Sequence, residues 1–296
     1  MIKILMGGSP CTHWSIVRQK KKQNGDRELT ANGIGWQLFE NYLIAKEKFK
    51  PDYFLYENNQ SASQTIKDQI SHELNTPLMN IDSSLVAAQR RKRFYVFNWN
   101  VEQPEDRNVT LKDIIDNDVE PVAIHTPRFN EGKCRIYLDK APTLTCAGGG
   151  GHVPRLLLKG LDPDAVTADN WKENSREIRV HEAEKLQTMP VGYTDGVSKT
   201  RAFNGLGNGW TAEIIIHILK GALKDIPRDE EIVVLSMYDG IGTGRYCLDK
   251  MGFTNIKYFA YEIDKYAMQI ANSNYPDIIQ MGDAFQLRYP DWTIGY

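Results

Sequence analysis

A chain of 296 residues, 41% hydrophobic, 25% charged and with a net charge of −2, has the profile of a water-soluble protein. It is long enough for one large α/β domain or for a domain with a smaller lobe. No apolar run is long enough to cross a bilayer and the first residues lack a signal-peptide core, so the expectation is a cytoplasmic protein (nucleoid-associated or nuclear, depending on the host) with no membrane partner. The four cysteines, Cys11, Cys134, Cys146 and Cys247, are too widely spaced for a zinc knuckle or a disulfide framework, so no metal is expected.

The chain opens MIKILMGGSPC. Ile2, Ile4 and Leu5 fit a short strand, which Gly7, Gly8 and Pro10 end because glycine permits tight turns and proline cannot continue a ladder. Cys11 is thereby expected at a strand tip, where α/β folds place their chemistry. Arg18, Lys20, Lys21 and Lys22 follow, and Arg90, Arg91, Lys92 and Arg93 form a second basic run. The acidic residues Asp113, Asp116, Asp118 and Glu120 gather elsewhere. A local basic face can hold a polyanion even when the overall charge is near zero.

Helical spacing of Leu38, Tyr42 and Ala45 predicts a helix over residues 34–49, closed by Pro51. YFLYENN reads as a buried strand with a polar exit, and RFYVFNW as a third, aromatic strand. This alternation is the rhythm of a parallel sheet. Over residues 100–174 six prolines and the run Gly148 to Gly151 break the rhythm, predicting an inserted lobe of short strands and loops. Helical pattern returns at HEAEKLQTMP, ended by Pro190, and at TAEIIIHILKGAL. EIVVLSMYDGIGTGRYCLDKMGF then reads as strand, glycine loop and helix, and KYFAYEID as a strand with a carboxylate at its exit.

Glycines in DGIGTG let backbone N–H groups approach a ligand, and the helix that follows offers its positive end to an anion. Glu262 ends the next strand, where a doubly wound fold places a carboxylate on ribose hydroxyls, and Asp283 in GDAF suits an adenine amino group. These three strand ends fit an adenosine-containing cofactor. The spacing departs from the dinucleotide fingerprint, and Asp239 just before the loop would repel a pyrophosphate yet attract an ammonium group. S-adenosylmethionine is therefore favoured over a nicotinamide cofactor.

Cys11 in GGSPC, Glu57 in ENN, the run Gln89-Arg90-Arg91-Lys92-Arg93 and this glycine loop together resemble the C5-cytosine DNA methyltransferase family. REIRVHEAEKLQTMP and LGNGWTAEII resemble two further family segments, and KAPTLTC resembles its Thr-Leu-Thr stretch. GGSPC, PVGYTD and LGNGW are closer to the de novo-type animal enzymes than to most restriction-associated ones. The resemblance spans nearly the whole chain except the middle lobe. It implies a Rossmann-like, S-adenosylmethionine-dependent methyltransferase sheet with a small inserted target-recognition lobe. Residues 1–99 would form the catalytic half, residues 100–175 the recognition lobe, and residues 176–296 the remainder with the cofactor half.

Several roles follow from the resemblance. Cys11 would be the nucleophile that adds to cytosine C6. Glu57 would contact the ring, and Arg91 and Arg93 would supply positive charge. Pro10, Tyr238, Asp239, Gly240, Ile241, Gly242, Thr243, Glu262, Ile263, Asp283, Ala284, Asn208 and Trp210 would bind S-adenosylmethionine. Ser15, Arg18, Lys20, Gln89, Arg128, Arg135 and Arg155 would contact double-stranded DNA, from which the target base is rotated out. Two residues depart from the pattern: Asn59 stands where valine is common, and His181 where arginine is.

The motif order also departs. In the family the cofactor loop precedes the Pro-Cys motif, whereas here it follows. The order resembles a circular permutation, with GALKDIPRDEEI as the join and Met1 close to Tyr296. A transfer-RNA methyltransferase and a non-catalytic DNA-binding relative are the alternative readings. The non-catalytic one predicts loss of the nucleophile or cofactor loop, and both are intact.

Overall fold

The apolar run that opens the chain forms strand β1 (Ile2–Gly7), followed by helix α1 (Ile34–Phe49), strand β2 (Tyr53–Asn59), helix α2 (Gln64–Leu74) and strands β3 (Met79–Asp82) and β4 (Lys92–Phe97). Strands β5 (Val119–His125), β6 (Arg135–Leu138), β7 (Arg155–Leu158) and β8 (Ser175–Glu177) come next, then helices α3 (Val180–Leu186), α4 (Lys199–Asn208) and α5 (Ala212–Leu223). The chain closes with β9 (Ile232–Met237), α6 (Thr243–Lys250), β10 (Ile256–Tyr261), α7 (Lys265–Asn274) and β11 (Ile279–Gly282). This is a computed structural model, and it describes residues 1–15, 27–125, 134–146 and 153–295.

Two units divide the chain. The first comprises Met1–Ile81, Lys92–Glu102 and Ile218–Tyr296; the second comprises Asp82–Arg91 and Gln103–His217. The first holds a seven-stranded sheet in the order β11-β10-β9-β1-β2-β4-β3. β1 pairs in parallel with both β9 and β2, so the sheet reverses its winding between β9 and β1. Open α/β sheets bind ligands at such a switch point, outside the carboxyl ends of the strands. The aromatic strand β4 corrects the expectation of a wholly parallel start, because it runs antiparallel to β2.

Alternation places Leu5, Phe54, Tyr56, Phe94, Val96, Val233, Leu235, Met237, Phe259 and Tyr261 in one buried cluster with Trp36, Phe39 and Tyr42 of α1 and Ile66 and Ile70 of α2. Ile4, Met6, Val234, Tyr258 and Ala260, the alternate residues, are equally buried. A sheet buried on both faces explains the nearly continuous apolar runs of IVVLSM and YFAY. α2 starts at Ser63, whose hydroxyl accepts the Ile66 N–H at 3.2 Å, and ends at Asn75 in the left-handed region.

The second unit carries a four-stranded antiparallel sheet in the order β6-β5-β7-β8. Its acidic stretch is internally neutralised. Arg176 bridges Asp118 and Glu182, Arg179 pairs with Asp116 and Asp118, and His181 Nε2 lies 3.0 Å from Asp116. His181, one of the two departures from the resembled pattern, therefore has an acidic partner. These ion pairs tie β8 and the start of α3 to the stretch before β5, within a unit that runs on to His217. No helix among the described residues is long and apolar enough to cross a membrane.

Candidate active site

The two glycines after β1 are explained by close packing. A Cβ on Gly7 would lie 2.4 Å from the Met237 carbonyl oxygen of β9, and one on Gly8 would lie 2.6 Å from the Glu57 carbonyl and 3.0 Å from its Oε2. Neither glycine has a positive φ, so the expectation of a turn-forming pair is corrected: they let the chain tip pass against its two neighbouring strands. Ser9 is then pinned from β2. Its hydroxyl lies 2.7 Å from the Tyr56 hydroxyl, and Asn58 Nδ2 donates to the Ser9 carbonyl at 2.9 Å. The polar exit of YFLYENN thus holds the residue two before the cysteine. Pro10 caps a 3-10 turn, Cys11–His13, whose Cys11 carbonyl accepts from Trp14 and Ser15 N–H at 3.0 and 2.9 Å.

Glu57 is buried in β2 and its Oε1 lies 3.0 Å from Arg93 Nε on the adjoining strand. The Glu-Asn strand end and the second arginine of the basic run are therefore brought together as an ion pair. Asn59, the departure from valine, turns its amide oxygen onto Ser61 N–H at 3.0 Å and caps the turn after the strand.

Arg91 is placed differently. It is buried in the second unit, donating to the carbonyls of Leu144 (2.8 Å), Gly207 (3.0 Å) and Gly209 (2.8 Å). The guanidinium thus braces three main-chain carbonyls within this unit. Gln89 is fully buried; it donates to Leu186 O and Gln187 Oε1 and accepts from Leu144 N, so it is corrected from a nucleic-acid contact to a structural brace. Arg155 is corrected likewise, its guanidinium bonding to Ser175 and Lys172 O over the Trp171 ring. Arg135 approaches His125 Nδ1 at 2.8 Å. In the same unit Asn208 Oδ1 accepts from the Cys146 thiol at 2.6 Å and Trp210 begins the turn into α5. Arg18, Lys20 and Arg128 lie outside the described residues, as do the glycine run and Tyr296. Ser15 is the last described residue before the basic segment.

The glycine loop hangs between β9 and α6. Tyr238 adopts a left-handed φ of 59° and its hydroxyl donates to Leu38 O at 2.7 Å while accepting from Asn41 Nδ2 at 3.1 Å, which fastens the loop to α1. Gly240 and Gly242 are left-handed at φ 67° and 78°, a region in which side chains are strained. A Cβ on Gly240 would meet nothing within 4 Å, so this backbone borders open space, with Ile241 buried behind it and Thr243 opening α6. Gly244 serves packing, since a Cβ there would strike Met6 Sδ and the Tyr258 hydroxyl.

Asp239 carries the electrostatic signature. Its Oδ1 accepts from Ser236 Oγ and the Tyr258 hydroxyl, both at 2.6 Å, while its Oδ2 is buried with no hydrogen-bond partner among the described residues; the Gly242 N–H also favours the charged carboxylate. Burial pushes its carboxyl above the ordinary value; the two hydroxyls pull it back, and the neighbouring Glu262 adds to the rise. Glu262 at the end of β10 accepts from Gly240 N at 2.9 Å and from Ile263 and Asp264 N at 2.7 and 2.8 Å, so the second strand end is stitched to the first. Ile263 is 73% exposed, an apolar side chain left bare beside this carboxylate. Asp283 ends β11 and caps the turn containing Ala284, accepting from Phe285 N at 2.9 Å.

Residues 1–123, which hold the nucleophile strand and the Glu57–Arg93 pair, match the C-5 cytosine-specific DNA methylase family. The match covers Cys11, Glu57, Arg91 and Arg93, so the resemblance read from those motifs is borne out; the glycine loop lies beyond the matched residues. The fold is similar to that of the methyltransferase EhMeth of Entamoeba histolytica, with a TM-score of 0.50 and 16% identity over 76% of this chain and 78% of that one. A Spodoptera frugiperda DNMT2 mutant is similar at a TM-score of 0.46 and 18% identity, covering 74% and 78% of the two chains. The S. pombe Dnmt2 methyltransferase follows at 0.40 and 13%, covering 59% and 67%. The first unit accordingly has a mixed α/β fold around a central, mostly parallel sheet, similar to that of EhMeth.

Four residues not named among the candidates also shape this region. Ser9, Tyr56 and Asn58 fix the approach to Cys11, and Asn41 holds Tyr238 while accepting from Arg288 Nε at 2.7 Å. Asn58 is legible as part of ENN. The only signal for Asn41 is a polar residue on the apolar stripe of a helix.

Proposed function

We propose that the protein methylates C5 of cytosine in double-stranded DNA, with S-adenosylmethionine as donor and Cys11 as nucleophile. The observation that carries this reading is the convergence at the β9–β1 switch point: the Pro-Cys tip of β1 packs on Glu57 through Gly8, Glu57 pairs with Arg93, and the open glycine loop follows β9. The family named for the matched residues acts on DNA, which favours DNA over RNA as substrate.

The residues present fit the cofactor. Asp239 Oδ2 is a buried acceptor with no hydrogen-bond partner among the described residues, suited to an ammonium group, which would also relieve the burial that disfavours its charge. Gly240 leaves room for a ligand against the backbone, Glu262 suits ribose hydroxyls, Ile263 offers an apolar face to a purine, and Asp283 suits its amino group. Bound there, S-adenosylmethionine supplies an electrophilic methyl group.

Cys11 does the activating chemistry. Its thiolate adds to cytosine C6; the C5=C6 electron pair moves to C5, which becomes nucleophilic toward the methyl group. Loss of the C5 proton to solvent base then returns the electron pair to the ring and expels the thiolate. Glu57 hydrogen-bonds the N3 edge and exocyclic amine, and Arg93 fixes that carboxylate. Duplex cytosine is stacked, so the base leaves the helix at a cost of a few kcal/mol. Lys20 and Arg18 are the phosphate contacts proposed to offset it.

We read the motif order as a circular permutation. Parallel strands pair through space, so the sheet tolerates entry at its centre. Phe49, which lies under Lys3 Nζ at 4.9 Å, also lines a cleft with Thr293 and Ile294, so the last described residues lie near the beginning of β1.

The test is bisulfite sequencing of duplex DNA and of transfer RNA incubated with the protein and S-adenosylmethionine. Conversion-resistant cytosines in DNA, lost in Cys11→Ala and kept in Cys146→Ala, are the expected result. Methylation of transfer RNA alone would replace the DNA substrate, and methylation surviving Cys11→Ala would overturn the mechanism.

A further inference from the structure

The segment that returns from the Cys11 turn to α1 contains a carboxylate that the proposed chemistry does not use. Glu28 is largely buried and surrounded by donors. Trp14 Nε1 donates to its Oε2 at 3.2 Å, the Gly35 N–H reaches both oxygens at 3.1 and 3.3 Å, and His13 Nδ1 lies 3.2 Å from Oε1. Its own N–H donates to His13 O at 3.0 Å. The sequence Asn32-Gly33-Ile34-Gly35 is shaped around it: a Cβ on Gly33 would fall 2.2 Å from the Glu28 carboxyl carbon, and one on Gly35 2.7 Å from Oε2.

The residues beside Glu28 extend the connection. Arg27 Nε donates to Trp14 O at 2.9 Å, and the same guanidinium bonds Ser61 O just beyond the Glu57 strand. Ser63 Oγ donates to Leu29 O at 2.7 Å. Residues 27–29 thus join three structures: the turn that begins at Cys11, the N-terminus of α1, and the turn that follows Glu57. Trp14, whose N–H closes on the Cys11 carbonyl, is wholly buried, so the indole cannot swing away while Glu28 holds it.

We infer that Glu28 is a positioning residue for Cys11, fixing the Cys11–His13 turn through Trp14 and His13 so that the thiol presents one geometry to its target. The inference rests on the reading of Cys11 as nucleophile. Misplacing a reacting atom by about 1 Å costs on the order of 100-fold in rate, while the cofactor residues beyond β9 share no bond with Glu28.

The experiment compares wild type, Glu28→Ala, Glu28→Gln and Trp14→Phe as full chains. Three quantities are read: methylation kcat, KM for S-adenosylmethionine, and the alkylation rate of Cys11 by iodoacetamide without substrate, followed on its own peptide. Glu28→Ala is expected to lower kcat by about 100-fold, to leave KM unchanged and to accelerate Cys11 alkylation. Glu28→Gln is expected to recover most of kcat, since its carbonyl still accepts from Trp14 and Gly35 and its amide can donate to a neutral His13. Trp14→Phe removes a single donor and should move both readouts in the same direction by less; it decides the matter if Glu28→Ala does not fold. Unchanged alkylation and kcat in the folded variants, or a loss of kcat matched by KM and unrescued by glutamine, overturns the assignment. Because alkylation needs no turnover, its failure is distinguishable from failure of the proposed activity, which shows as wild-type protein that methylates neither nucleic acid.

Discussion

Replacing Asp239 by asparagine should make the unliganded protein more stable while weakening cofactor binding. The carboxylate holds one oxygen against two hydroxyls and the other buried without a hydrogen-bond partner among the described residues, and burial has already raised its pKa from the ordinary 3.8. The neutral amide sheds the cost of burying charge, and whichever of its atoms meets the Ser236 and Tyr258 hydroxyls is still hydrogen-bonded because each hydroxyl can donate or accept; the other atom keeps the unpartnered position of Oδ2. Burying a charge costs more than burying a neutral amide; with the residue as a whole only half-buried, a gain of about 1–2 kcal/mol is expected. That corresponds to a Tm higher by about 2–4 °C.

The pH dependence has a fixed sign. Above the unfolded pKa the unfolded chain has released this proton while the folded one retains it, so folded stability declines as pH rises until the raised folded pKa is passed. The advantage of Asp239→Asn should therefore vanish in acid, grow through the weakly acidic range and level off above the folded pKa. Urea denaturation at a series of pH values measures it, and calorimetric titration with S-adenosylmethionine measures the lost affinity. An asparagine variant less stable than wild type at neutral pH, or one that binds the cofactor equally well, would refute the account of the orphan oxygen.

Other substitutions test the packing. The Tyr42 hydroxyl is buried without a partner among the described residues, so Tyr42→Phe should stabilise the protein by about 1 kcal/mol, read as a rise in urea midpoint. Gly7→Ala would drive a methyl group into the Met237 carbonyl, main chain that cannot step aside; a loss of at least about 3 kcal/mol, seen as failure to accumulate folded protein, is expected. Arg91→Met would strip donors from the carbonyls of Leu144, Gly207 and Gly209 and should destabilise the protein by about 3 kcal/mol or more. Limited proteolysis should then cut first in the second unit. A variant that keeps wild-type resistance but loses methylation would support the catalytic role expected for Arg91.

Local pattern makes several elements legible in the amino-acid sequence. The 3.6-residue spacing of Leu38, Tyr42 and Ala45 marks α1 to its observed limits, and YFLYENN marks β2. α2 is absent from the expected elements although Ser63 and the spacing of Ile66, Ile70 and Leu74 signal it, because its exposed face is almost wholly polar. The direction of β4 is not legible, since an aromatic run reads the same parallel or antiparallel; only the connection from β3 decides it. Site residues divide similarly. Cys11, Glu57 and Asp239 sit at strand ends, where sequence position implies exposure to a ligand. Arg91 and Gln89 stand in the same run as Arg93 and share its alternation, but β4 begins at Lys92, so Arg93 alone lies on the strand and pairs with Glu57.

The order of the strands explains how the Pro-Cys segment can precede the glycine loop in sequence and still end at a neighbouring strand of the sheet. Each pairing of β1 is with a strand distant in sequence, β2 after α1 and β9 after the whole second unit, and no pairing in the centre of the sheet depends on a hairpin. What defines the site is the shared edge at which β1, β2, β9 and β10 end, together with the contacts that lock one end to the next: Gly7 on Met237, Gly8 on Glu57, Asp239 N–H on Tyr261 O and Glu262 on Gly240 N–H. These contacts run sideways across the sheet and are indifferent to the direction from which the chain arrives. Reordering the segments therefore changes which loops must be built, and leaves the geometry at the carboxyl edge to be set by strand neighbours.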